Sequence, residues 1–152
     1  MNKTVRSSNS LPRKTESVIP GRIWWAGLLG VFAALACNLI ARALLFGILP
    51  LPEQFPPLQP TAIAIFTVIG TGLAAVVFAL VVRFTAAPIR VFRLIAIAAL
   101  VVSILPNLAL MANPSSAPFP EGSALAYGVL CIFHGIAAVV CVVVLTTLTK
   151  KP

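Results

Sequence analysis

The chain has 152 residues, of which 60% are hydrophobic and 9% charged, and its formal net charge is +8. A soluble domain carries about 25% charged residues, and a domain this small has too much surface to hide so apolar a composition. The composition therefore excludes a soluble globular domain and, beyond the polar N-terminus, a disordered chain. Long apolar runs instead favour a lipid environment.

The first 22 residues are polar and basic, and they are predicted to form a flexible cytoplasmic tail. An apolar segment follows, from residue 23 to about residue 49, with Trp24 and Trp25 at its start. Its length suffices to cross a hydrocarbon core of about 30 Å. A cleaved signal fits less well, because the segment stays apolar beyond Cys37 and exceeds an h-region of about 7–15 residues.

The rest of the chain alternates between apolar spans and short polar connections. Residues 50–60 contain five prolines, which exclude a regular helix or a central strand and predict an external loop. Residues 83–93 are predicted to form a basic turn, residues 113–123 a second external loop, and residues 150–152 a basic end. Pro106 predicts a kink in the third span. The predicted fold is an all-α membrane protein, a four-transmembrane-helix bundle with spans at about 23–49, 61–82, 94–112 and 124–148.

The charges predict an orientation for this bundle. Every Lys and Arg except Arg42 lies in the N-terminal tail, the middle turn or the C-terminal end, whereas the two opposite loops carry only Glu53 and Glu121. The positive-inside rule then places both termini in the cytoplasm of a bacterium, with anionic lipid headgroups as partners. The basic residues flank apolar segments and form no patch with interleaved aromatics, so nucleic acid is not an expected partner.

Small or polar residues recur about every four positions in each span, and such faces let membrane helices pack closely. We therefore expect a compact bundle, which could form a homo-oligomer or belong to a larger membrane complex. The four predicted packing faces are Ala26, Gly30, Ala34, Asn38 and Arg42; Thr67, Thr71, Ala75 and Ala79; Ala96, Ala99, Ser103 and Asn107; and Gly128, Cys131, Gly135 and Ala138.

Polar side chains inside the spans are the candidate functional residues, because such groups are costly in lipid. One hypothesis is a polar pocket in the outer half of the bundle, where Arg42 supplies a positive charge and His134 a titratable group. We expect Arg42 to bond to Asn107, His134 or Glu121. The alternative is that Arg42 snorkels or pairs with an external glutamate while the other residues form interhelical hydrogen bonds. The predicted binding residues are Asn38, Arg42, Ser103, Asn107 and His134, with Thr71 as a further polar side chain.

No catalytic constellation is visible. The chain contains no Asp, no carboxylate pair within a span, no CxxC motif and no phosphate-binding loop. Cys131 and His134 share a helical face, but one histidine does not complete a zinc site, so neither a metal nor a cofactor is predicted. The favoured hypothesis is a structural, binding or accessory protein without catalysis. The alternatives are a small-molecule binder or transporter, and a membrane redox or quinone-linked enzyme using His134 and the cysteines.

The chain contains four short motifs: Asn38 with Arg42 in the first span, FPPLQP at Phe55–Pro60, SILPN at Ser103–Asn107 and FHG at Phe133–Gly135. Together they resemble a family of small, uncharacterised four-span bacterial membrane proteins. The resemblance covers about Trp24–Leu148. It implies membrane location and four spans, and it implies no activity.

The orientation can be tested by labelling. A reporter fused after Pro152 should be cytoplasmic, and cysteines introduced at Gln54 and Ser116 should react with an impermeant reagent added outside, because both loops lack Lys and Arg. Labelling at Ala87 in place of those two sites would contradict the predicted topology.

Overall fold

The structure is a computed structural model that describes residues 17–113, 116, 118–119 and 121–151. Within these residues four long helices form: α1 Ile23–Ile48, α2 Pro60–Phe84, α3 Pro88–Ala112 and α4 Ala124–Leu148. Each is long and apolar enough to cross a membrane. The predicted all-α class with four candidate spans is therefore confirmed. The prediction of a flexible tail falls mostly on residues 1–16, which lie outside the described residues.

Three of the helices begin at a residue type that favours the first turn of a helix. Pro60 and Pro88 stand at the first positions of α2 and α3, where a missing backbone N–H costs nothing and the fixed φ angle favours a helix. The Ser123 side chain accepts a hydrogen bond from the Ala126 N–H at 3.1 Å and so caps α4. Short 3₁₀ turns at Pro20–Arg22 and Pro56–Leu58 precede α1 and α2.

The third helix differs from its predicted span. It begins at Pro88 in place of residue 94, so the connection between α2 and α3 shrinks to residues 85–87, and Arg90 and Arg93 are helical. The first turn of α3 is amphipathic, since it buries Pro88, Ile89 and Phe92 while its arginines stay exposed. The helix continues through Pro106 to Ala112.

The helices follow one another around the bundle in the order α2, α1, α4, α3. Helices α1 and α2, α1 and α4, and α3 and α4 pack along much of their length, whereas α2 and α3 contact each other far less. The ring of helices is therefore closed on three sides and loose on the fourth. Large apolar side chains such as Trp25, Phe66, Leu94 and Val139 cover the outer surface, as expected where lipid surrounds a protein.

The two ends of the bundle differ in charge. At one end, here called the terminal end, the segments flanking α1 and α4 pair in an antiparallel bridge between Val18 and Lys150, with Ile19 N donating to Thr149 O at 2.9 Å. The turn between α2 and α3 lies at this end too. The opposite end, here called the loop end, carries residues 49–59 and 113–123 with Glu53 and Glu121.

Two apolar clusters stabilise the bundle, one towards each end. In the terminal-end cluster Phe78 of α2 meets Phe92 of α3, with ring centroids 4.8 Å apart. The buried residues of the loop-end cluster come from the first loop, α2 and α4; α1 adds partly buried residues such as Leu45 and Phe46, and α3 adds only the partly buried Leu110. Helix α3 is thus anchored by its first turn and separates from α2 towards the loop end.

The predicted packing faces of α1 and α2 are confirmed except at Arg42 and Ala79, which are only partly buried. Ala26, Gly30, Ala34 and Asn38 are buried along α1. Along α2 the buried residues include Thr67, Thr71 and Ala75. The close approach of the two helices depends on Gly27 as well, because a Cβ at this position would lie 2.9 Å from the Ala75 Cβ.

The other two helices differ from that prediction. In α3 the face of Ala96, Ala99, Ser103 and Asn107 is partly or fully exposed and borders a cavity. In α4 the predicted face is only half-buried, and larger residues take the buried positions, among them Tyr127, Phe133 and Cys141. Small residues therefore mark the α1–α2 contact, whereas α4 packs through larger side chains.

Substitution of Gly27 tests the close contact between α1 and α2. Gly27→Leu should lower the free energy of unfolding by about 1–3 kcal/mol, because its Cβ already overlaps Ala75. The matched control is Gly47→Leu in the same helix, where an added Cβ meets nothing within 4 Å. Thermal unfolding in detergent measures both, and equal stability of the two variants would contradict the close approach.

Candidate functional site

A cavity of 670 Å³ lies between α2 and α3. Helix α4 contributes a third wall, and α1 reaches the cavity through Asn38. Its volume lies within the range of about 300–1,000 Å³ that is typical of small-molecule sites. Phe66, Ile69 and Leu73 of α2 border the cavity and are also exposed on the outer surface. The cavity thus opens sideways, between two helices.

Five polar side chains line the cavity at similar depth, and together they are called the polar layer: Asn38, Thr67, Thr71, Ser103 and His134. At 1.5 Å per residue they lie about 10–17 Å from the loop ends of their helices. This depth is near the middle of a hydrocarbon core of about 30 Å. Each of the four helices contributes at least one of them.

Asn38 forms the contact between helices in this layer. Its Nδ2 donates to Thr67 Oγ1 at 3.0 Å, and the residue is 2% exposed. Asn38 Oδ1 has no hydrogen-bond partner in the part of the chain that the structure describes. A buried carbonyl oxygen without a donor costs about 1–3 kcal/mol. Asn38 therefore combines a structural bond with an unused acceptor.

Other polar side chains bond within their own helices. Ser103 Oγ donates to Leu100 O at 2.8 Å, and Thr71 Oγ1 donates to Thr67 O at 2.6 Å. Asn107, which lies nearer the loop end, donates from Nδ2 to Ser103 O at 3.2 Å. The alternative in which these residues bond between helices therefore fits Asn38 but not Ser103 or Asn107. Such bonds to the preceding turn still leave oxygen lone pairs available.

His134 also bonds to its own helix, with its Nδ1 2.7 Å from Leu130 O. Because a carbonyl oxygen can only accept, Nδ1 carries the proton. In the neutral imidazole Nε2 is then an acceptor. Asn38, Ser103, Asn107 and His134 all line the cavity, so four of the five predicted binding residues are brought to one cavity.

Arg42 is the predicted site residue that the structure places elsewhere. Its Nε donates to Leu58 O at 2.7 Å, and its guanidinium carbon lies 4.2 Å from the centroid of the Phe46 ring. The expectation that Arg42 bonds to Asn107, His134 or Glu121 is wrong, because its partner is a backbone carbonyl of the first loop. No Arg, Lys or Glu lines the cavity in the described residues.

Aromatic side chains close the cavity towards the loop end. Phe55 makes edge-to-face contacts with Tyr127 at 5.3 Å and with Phe119 at 5.9 Å. Tyr127 packs against Gly122, where an added Cβ would lie 2.5 Å from the Tyr127 hydroxyl oxygen. That hydroxyl is buried and has no hydrogen-bond partner among the described residues.

Sequence reasoning missed Thr67 and Tyr127 as lining residues. Thr67 stood in the predicted packing face of α2, and its spacing from Thr71 was the available signal. The sequence gives a weaker indication for Tyr127, which is the single tyrosine of the chain and lies one turn into the fourth span.

The lining is suited to binding by apolar contact and hydrogen bonds. Within the described residues, no group of three or more His, Cys, Asp or Glu side chains could hold a metal ion. Cys141 lines the cavity and its Sγ lies 4.0 Å from Thr71 O, whereas Cys131 is not among the lining residues.

No family model, curated protein or solved structure matches this chain. The resemblance to a four-span bacterial family consequently stays a prediction from its short motifs.

The contact of Arg42 with the first loop predicts a local effect of its removal. Arg42→Leu should increase hydrogen exchange at the Leu58 and Gln59 amides and destabilise the protein by about 1–3 kcal/mol, because Leu58 O loses its donor. Arg42→Lys should restore part of this loss, since it keeps a cationic donor without the guanidinium geometry. The control is Arg83→Leu, because the Arg83 guanidinium is exposed and lies 5.6 Å from the Phe84 ring. Unchanged exchange in Arg42→Leu would rule out this contact as the anchor of the loop.

Proposed function

We propose that this chain is a multi-pass membrane protein that binds a lipid-soluble small molecule in the cavity between α2 and α3. The observation that carries the proposal is the cavity itself, which is largely apolar, opens sideways and contains a polar layer at its centre. A molecule dissolved in the bilayer would enter between the two helices without crossing the aqueous phase.

The proposed setting is a bacterial cytoplasmic membrane with both termini in the cytoplasm. In support, the terminal end carries Arg22, Arg83, Lys150 and Lys151, and the loop end carries Glu53 and Glu121. Basic residues favour the cytoplasmic side and its anionic lipid headgroups. The terminal end would then face the cytoplasm.

A binding role accounts for α3 better than a purely structural role does. In a structural bundle the small residues of α3 would pack against a neighbouring helix. Here the face of Ala96, Ala99, Ser103 and Asn107 borders the cavity. A small-residue face leaves room for a ligand, and its two polar members supply hydrogen bonds to it. Any accessory role in a complex would be compatible with this binding.

Two glycines of α2 provide a matched test. Gly70 lines the cavity and Gly72 does not, and an added Cβ meets nothing within 4 Å at either position. Gly70→Phe should fill the cavity without disturbing the helices, whereas Gly72→Phe should leave the cavity open. Both variants should fold, since phenylalanine is a better helix former than glycine.

The measurement is native mass spectrometry of protein extracted gently from its own membrane. We expect a small-molecule adduct on the wild type and on Gly72→Phe, and at least a tenfold loss of that adduct on Gly70→Phe. Identical adducts on all three proteins would show that the cavity is not the binding site.

A further inference from the structure

We infer that the ligand of this cavity is a neutral amphiphile with a hydroxyl headgroup, which donates to Asn38 Oδ1 and accepts from Thr67 Oγ1. The inference rests on the proposed function, and it adds the chemical class of the ligand and the two groups that recognise it. A lipid-soluble alcohol or phenol belongs to this class.

The requirement for a donor comes from the acceptors of the polar layer. Asn38 Oδ1 is buried without a partner, and Asn38 lines the cavity. In its neutral form His134 offers a second acceptor, Nε2, at about the same depth, because its Nδ1–H is already bonded to Leu130 O. A headgroup that only accepts, such as an ether or a ketone, would leave Asn38 Oδ1 unpaired.

The requirement for an acceptor comes from Thr67. Its Oγ1 accepts from Asn38 Nδ2 at 3.0 Å, and the hydroxyl still has its own proton to donate. Thr67 Oγ1 and the Asn38 amide are adjacent, so one small group can meet both. A hydroxyl is the smallest headgroup that donates and accepts at the same time.

The requirement for a neutral headgroup comes from the charges. The described lining contains no Arg, Lys or Glu to pair with a phosphate, a carboxylate or an ammonium group, and its one histidine already donates Nδ1–H to Leu130 O. Arg42, the cation nearest in sequence to Asn38, is directed to Leu58 O and the Phe46 ring. An unpaired charge at this depth would cost several kcal/mol, so charged amphiphiles are disfavoured.

Two probes that differ by one methyl group test the inference. The phenol 4-octylphenol can donate and accept, whereas its methyl ether, 4-octylanisole, can only accept. Thermal unfolding of the full chain in detergent is followed by circular dichroism at rising mole fractions of each probe, and the stabilisation gives an apparent affinity. For the wild type we expect the phenol to bind about tenfold more tightly than the ether, as for one buried hydrogen bond.

Variants of the polar layer identify the group that the phenol contacts. Asn38→Leu should bind the phenol and the ether with about equal affinity, because the acceptor Asn38 Oδ1 is lost. Thr67→Val also removes the bond between α1 and α2, but it should weaken both probes equally and keep the preference. If Asn38→Leu fails to fold, Asn38→Ala removes the carbonyl without adding another acceptor, and it should abolish the preference in the same way.

The outcomes separate this inference from the proposed function. Equal binding of both probes to the wild type, with loss of both in Gly70→Phe, would overturn the hydroxyl headgroup and leave the cavity as a binding site. A preference for the phenol that survives loss of the Asn38 carbonyl would also overturn the inference. Absence of stabilisation by either probe, or stabilisation unchanged in Gly70→Phe, would overturn the proposed function itself.

Discussion

The contact between Phe78 and Phe92 determines where α2 and α3 meet, and the cavity depends on it. The short turn of residues 85–87 brings the two rings together at the terminal end, in a cluster that includes residues of α1 and α4. Beyond its first turn, α3 has no buried residue, so its remaining length is supported mainly by α4. A helix held at one end and along one side leaves the fourth side of the bundle open.

Four of the polar side chains that line the cavity bond within their own helices, and Asn38 does not. In a hydrocarbon environment a polar group must find its partner within the protein, and Thr71, Ser103, Asn107 and His134 find it in the preceding turn of their own helix. Asn38 reaches another helix instead, and its amide has more capacity than Thr67 uses. Asn38 is thus a cavity-lining residue whose side-chain oxygen is buried without a partner among the described residues.

Hydropathy and charge were sufficient to predict the four helices and the separation of basic residues from the two glutamates. The small residues of α1 predicted its buried face, because that helix packs against two neighbours. The same pattern failed for α3, since a row of small residues cannot indicate whether a helix or a cavity lies opposite. The predicted span begins too late for α3, because the arginines near the start of the helix lower the mean hydropathy of this segment. Ile89 and Phe92 are nevertheless buried there.

The candidate site was predicted in part for similar reasons. Asn38, Ser103, Asn107 and His134 stand out in apolar sequence, and polarity was enough to select them. Arg42 was selected by the same criterion, but its partner is a main-chain carbonyl in a loop, and a carbonyl has no signature in the sequence. Tyr127 and Thr67 were missed because both residue types are common in ordinary helix contacts, and only the three-dimensional arrangement distinguishes them.

The bridge between Val18 and Lys150 has a consequence for the order of assembly during synthesis. Helices α1 and α2 are neighbours in sequence and can pair as soon as both have left the ribosome. The contact of α1 with α4, and the bridge beside it, must wait until residue 150 has been added, because these pairings join the most distant described parts of the chain. Until then one side of α1 has only lipid or another protein to cover it. The nascent chain therefore passes through a stage in which the side of α1 that faces α4 is uncovered, including Gly30, where an added Cβ would meet only Val144 of α4 within 4 Å.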